Sequence, residues 1–186
     1  MSGNQLLTDD EWLALFDDIR YTAFRLELQP AYNEPNEKDS LRRFLAGEQV
    51  VSDDIPGWAT WVTIVRSLTE RGGRMERVRV HEDPPTDYQR WERALGDANV
   101  EAGEVIWYLT REQAHQSGLL PDAGRVDWWL FDSHKLVQMH FDEEFTRVRN
   151  ELVTDPAAVV RANVWRDLAL CHARRLAREG QVEGAA

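Results

Sequence analysis

Three groups of residues in this sequence could do chemistry. The first is Arg77 and Arg79, two residues apart, with Arg66, Arg71 and Arg74 before them. Side chains two apart share one face of a strand. Paired guanidinium forks there could hold a carboxylate or phosphate bidentately. The plainer outcome is an acid-paired face. Glu27, Glu101 and Glu104 are the candidate partners, and a buried Glu27–Arg77 or Glu27–Arg79 pair would satisfy both sides. The second group is aromatic: Trp107 and the adjacent Trp128 and Trp129, from a total of eight Trp. Adjacent strand residues leave opposite faces, so one of Trp128 and Trp129 would share a face with Arg77 and Arg79. An aromatic wall beside two guanidiniums would seat a planar or anionic ligand. The third group is His134 and His140 with Asp132 and Asp142, a metal or acid–base cluster if the turn brings them together. Turn chemistry explains Asp132 and His134 more simply.

The motifs of several chemistries are missing. There is no GxxxxGK[ST] or GxGxxG phosphate loop, no GxSxG nucleophile elbow, and no HExxH or CxxC. One cysteine, Cys171, excludes an internal disulfide framework and a multi-cysteine metal site. No metal and no cofactor are therefore expected. With 22 basic and 33 acidic residues the net charge is −11, which opposes binding to nucleic acid. No apolar run approaches the ~20 residues that span a bilayer, and the first residues lack a secretory pattern, so a cytoplasmic location without membrane association is expected.

Positioning these residues requires an ordered set of elements. Thr8 with Glu11 forms a capping box ahead of Trp12, Phe16 and Ile19. Residues 21–28 alternate Phe24, Leu26 and Leu28, and read equally well as a strand or as continuing helix. A short helix is expected over 37–46. Trp58, Trp61, Val65 and Leu68 mark a stronger one that ends at Gly72-Gly73. From Arg74 the period changes to two, giving a strand to His81. Thr86 with Gln89 caps the next helix, and Gly103 precedes the strand EVIWYLT. VDWWLFD and KLVQMHFD form a strand pair, a further strand follows in FTRVRNELV, and Asp155-Pro156 opens a long closing helix.

This layout predicts an α/β fold, with α+β as the alternative. A mixed sheet of four to five strands would combine with an N-terminal helical segment and a long C-terminal helix. A single domain is expected over 8–178, helical over 8–72 and sheet-based over 74–178, with flexible tails at 1–7 and 179–186.

The ordered phrases AFRLELQPAY, FLAGE, RVRVHEDPPTDYQRWE, NVEAGEVIWYL, DWWLFD, VQMHFD, DPAAVV and RDLAL resemble an actinobacterial family catalogued as a domain of unknown function. Its members tend to be encoded near helix-turn-helix regulators of development and antibiotic production. The resemblance implies a cytoplasmic bacterial protein partnering a regulator, and carries no active site. The order of elements is also similar to regulatory phospholipase D-like domains. Active members of that group need HxKxxxxD. Here His134 is followed directly by Lys135, and His140 by Phe141, Asp142 and Glu143, so the motif is missing and phosphodiester cleavage is not expected.

Together these readings favour a non-catalytic regulatory or binding module. It would recognise a small ligand or a helix-turn-helix regulator through an aromatic-lined groove built from Arg77, Arg79, Trp107, Trp128 and Trp129. The alternative is a cofactor-independent enzyme of secondary metabolism, a cyclase or hydrolase, with a Trp-lined pocket.

Overall fold

The computed structural model describes residues 4–176. One eight-stranded mixed sheet runs through it, in the order β1-β7-β6-β5-β2-β3-β4-β8. The strands are β1 (Gln5–Leu7), β2 (Thr22–Glu27), β3 (Arg74–His81), β4 (Val105–Thr110), β5 (Asp127–Phe131), β6 (Lys135–Phe141), β7 (Arg147–Val153) and β8 (Arg174–Arg175). The helices are α1 (Asp9–Asp17), α2 (Lys38–Leu45), α3 (Trp58–Glu70), α4 (Asp87–Ala94), α5 (Gly96–Ala102), α6 (Arg111–Gln116) and α7 (Pro156–His172). β2, β3 and β4 are parallel, and every other pairing is antiparallel.

The expected sheet of four to five strands is thus corrected to eight, within an α/β fold. Two of the additional strands are edges of three and two residues, too short to show a period. One of them, β1, uses residues 5–7, expected as loose tail; it pairs Gln5 with Leu152 and Leu7 with Asn150. The proposed tail at 179–186 lies outside the described residues. β2 falls inside the segment expected to be helical. Its alternation is masked because the face opposite Phe24 and Leu26 carries Arg25 and Glu27, charged yet shielded from solvent.

Local chemistry explains the helix starts. Thr8, Thr86 and Thr110 each accept from the N3 amide, while Glu11, Gln89 and Gln113 reach back to the cap, giving three full capping boxes. The third was not anticipated, because Thr110 also ends a strand. Asp155 caps α7, with Pro156 in its first turn.

The sheet is covered on both sides, which decides where each alternating residue goes. Phe24, Leu26, Val78, Leu109, Trp128 and Leu130 form one core with α6 and α7. Trp12, Phe16, Val65, Met75, Trp129 and Phe131 form the other, with α1 and α3. A third cluster, Tyr32, Tyr88, Trp91 and Leu95, closes the end of this second layer. No described helix is long and apolar enough to cross a membrane.

Candidate functional site

The central strands place an ion lattice on the α1–α3 side. Arg25 is in register with Arg77 across β2 and β3, and Glu27 with Arg79. The Glu27 carboxylate accepts from Arg77 Nη1 and Arg79 Nε, both at 2.8 Å, and lies 3.1 Å from Arg25 Nη1. Arg77 also donates through Nε to Glu104 Oε1 at 2.8 Å. Arg79 Nε lies 3.1 Å from Glu92, whose other oxygen is 2.7 Å from His81 Nε2. Asp127 holds Arg25 Nη2 at 3.3 Å and accepts from Tyr32 at 2.5 Å and from the Leu28 amide at 2.8 Å. All these acids are buried. Mutual hydrogen bonding makes such burial tolerable.

Glycine geometry helps deliver Glu104. Gly103 ends α5 at φ +115°, and a Cβ there would lie 3.1 Å from Thr69. The next residue, Glu104, accepts from Asn99 Nδ2 at 2.8 Å and from the Trp61 indole at 3.3 Å.

The lattice sets the titration of its members. Burial alone would raise Glu27, but the guanidiniums of Arg25, Arg77 and Arg79 outweigh it and hold the carboxyl far below its usual range. Burial pushes Asp127 upward, with Arg25 pulling the other way. Tyr32 is pushed well up by burial and by Asp127.

Above this floor lies a cleft of about 420 Å³, bounded by α1, α3 and the segment between β2 and α2. Trp58, Trp61, Trp129, Tyr32 and Tyr88 contribute aromatic lining. Arg77 lies over the Trp61 ring at 5.6 Å, and Arg25 over Tyr32 and Trp129 at 5.4 and 5.7 Å. Glu37 lines the cleft and accepts from the Tyr88 hydroxyl at 2.7 Å. Burial pushes its carboxyl up to about 7, against the Tyr88 hydrogen bond and with help from Glu34, Glu92 and Glu27.

The sign of this shift gives a test. A carboxyl raised from 4.5 to about 7 on folding confers stability at acid pH that is lost as pH rises through that window. Glu37→Gln removes the loss, so urea unfolding should find the variant more stable than the parent by about 2 kcal/mol at pH 8 and about equal near pH 4. An identical difference at both pH values would refute this.

Of the five residues expected to form a groove, the structure brings three together. Arg77, Arg79 and Trp129 line the cleft. Trp128 lies on the opposite face, 1% exposed, beside Phe24 and Trp165. Trp107 is also on that face; its indole donates to Glu76 at 3.3 Å, and Arg175 lies over its ring. Those two placements are corrected by the strand register: Trp107 is opposite Val78, and Trp128 opposite Leu26. The His cluster does not assemble. His134 contacts the Asp132 carbonyl in the β5–β6 turn, whereas His140 pairs with Glu151 at 3.0 Å. Asp132 binds the amides of Arg20, Tyr21 and Thr22, and Asp142 those of Glu144 and Thr146. Among the described residues no group of His, Cys, Asp and Glu is arranged to hold a metal. Sequence reasoning missed Arg25, Tyr32, Glu37, Glu92 and Asp127 as cleft or floor residues. Arg25 and Glu27 did carry a signal, being charged residues alternating with apolar ones in a strand.

A central parallel β2-β3-β4 unit extended by antiparallel strands, with helices on both faces, defines the architectural class. It is similar to the solved structure of Nuc from Salmonella typhimurium, a phospholipase D family member, at a TM-score of 0.51. The match has 10% identity and covers 94% of this chain and 97% of that one, a likeness of fold alone. No curated protein matches the sequence. The chain belongs to the family described as Domain of unknown function (DUF6879), which matches residues 10–178.

Proposed function

We propose that this chain is a non-catalytic binding module that takes a small planar ligand in the cleft between α1, α3 and the sheet. The observation supporting it is an aromatic-lined space of about 420 Å³ over a buried ion lattice. That volume is typical of small-molecule sites and accommodates one or two rings. The floor groups are engaged with one another, an arrangement that fits a rigid recognition surface better than a reacting pair. Trp58 suits the role of a docking surface. It lines the cleft and is only partly buried, and among the described residues no aromatic stacking or side-chain hydrogen bond holds its indole.

Three probes of one shape and different charge test this: benzamide, benzoate and benzamidine. Saturation-transfer NMR should detect at least one of them at millimolar concentration. Trp58→Ala should weaken it about tenfold, the loss of one stacking face. The melting temperature should move little. Equal signals from parent and variant, or none from any probe, would overturn the reading.

A further inference from the structure

We propose that the cleft selects an organic cation, recognised by its aromatic lining and the Glu37 carboxylate. This rests on the binding reading above and names the chemical class of its ligand.

Charge decides the class of ligand. Arg25, Arg77, Arg79 and Arg147 line the cleft, and each already faces a carboxylate. Arg25 has Glu27 and Asp127, Arg77 has Glu27 and Glu104, and Arg79 has Glu27 and Glu92. Arg147 has Glu34 at 4.0 Å. Five carboxylates thus face four guanidiniums before Glu37, about half ionised at pH 7, is added. An incoming anion would meet guanidiniums whose charge is already balanced by Glu27, Asp127, Glu104 and Glu92, and at 4.0 Å by Glu34. A cation meets an open acceptor instead, because among the described residues the Glu37 carboxylate is hydrogen-bonded only by the neutral Tyr88 hydroxyl. Ring faces add attraction for a cation and none for an anion.

The field at Glu37 points the same way. Glu34 faces it from its own loop, Tyr88 and Glu92 from α4, and Glu27 from β2, with Arg25, Arg77 and Arg79 across the floor and Arg147 on β7. Burial first, and then the three acids, raise its carboxyl. A bound cation lowers it again, so binding at pH 7 releases protons.

The test compares the three isosteric probes by NMR titration, with calorimetry at pH 7 in buffers of different ionisation enthalpy. Benzamidine should bind about tenfold more tightly than benzamide or benzoate, with proton release. Glu37→Gln should weaken benzamidine about tenfold and abolish that release, so that its preference over benzamide is lost. The variant keeps an acceptor for Tyr88, and its fold is checked by its unfolding curve. The cation proposal is overturned, with the cleft still a binding site, if benzamide or benzoate matches benzamidine, or if Glu37→Gln leaves benzamidine unaffected. Failure of all three probes overturns both readings.

Discussion

Replacing Glu27 with glutamine is expected to lower the unfolding free energy by about 3–5 kcal/mol at pH 7, the cost of removing one member of a buried ion pair. One carboxylate, 4% exposed, serves three guanidiniums on β2 and β3. Glutamine keeps the shape and one acceptor but removes the charge. Arg25 and Arg79 are then left with Asp127 and Glu92 alone, and Arg77 with Glu104. The effect has a defined pH dependence. Glu27 is depressed on folding, so its contribution is fully present above its ordinary value of 4.5 and is lost as pH falls toward the lower folded value. The difference between parent and variant should therefore shrink in acid. Adding Arg79→Met to Glu27→Gln removes one orphaned charge, so the double variant should lose less than the sum of the two. Urea unfolding of the four proteins at pH 7 and pH 3.5 measures all of this. A loss below about 1 kcal/mol at pH 7, the range of exposed pairs, would show that the lattice contributes no more than a surface ion pair.

Trp129→Ala is expected to cost about 3–5 kcal/mol, as large aromatic truncations in cores do. The ring is 2% exposed and stacks on Phe131 at 5.6 Å with planes 2° apart. Phe16 and Trp61 pack edge-on at 5.2 and 6.1 Å. The Trp129 indole nitrogen is buried and has no hydrogen-bond partner, so the loss is one of packing. Trp129→Phe should therefore recover most of it. Trp58→Ala on the same cleft, half-buried and without such contacts, should cost far less. Thermal and urea unfolding of the three variants separates a ring that builds the floor from one that meets a ligand. Equal losses at Trp129 and Trp58 would contradict this division.

Much of the architecture was readable from local pattern. The capping boxes at Thr8 and Thr86, the period-two run from Arg74 and the Asp155-Pro156 start of α7 all depend on residues close in sequence. Their physics is local, so one chain segment suffices to read them. Strand number was less legible. β1 and β8 exist because β7 and β4 offer them hydrogen-bonding edges, a property of their neighbours.

For the site, sequence alone determined that Arg77 and Arg79 share a face and that Trp128 and Trp129 part to opposite faces, because strand alternation leaves no other choice. It also offered Glu27, Glu101 and Glu104 as candidate partners on charge complementarity; the fold takes Glu27 and Glu104 and leaves Glu101 exposed. Which tryptophan joins the arginines depended on the register of β5 against β2, where Arg25 meets Trp129. A one-residue slip would have exchanged the two indoles. Glu37, Tyr88 and Glu92 come to the cleft from α4 and from the segment ahead of α2, elements brought together only by packing. Burial there raises Glu37, and burial is a property of the folded assembly that no spacing of residues encodes.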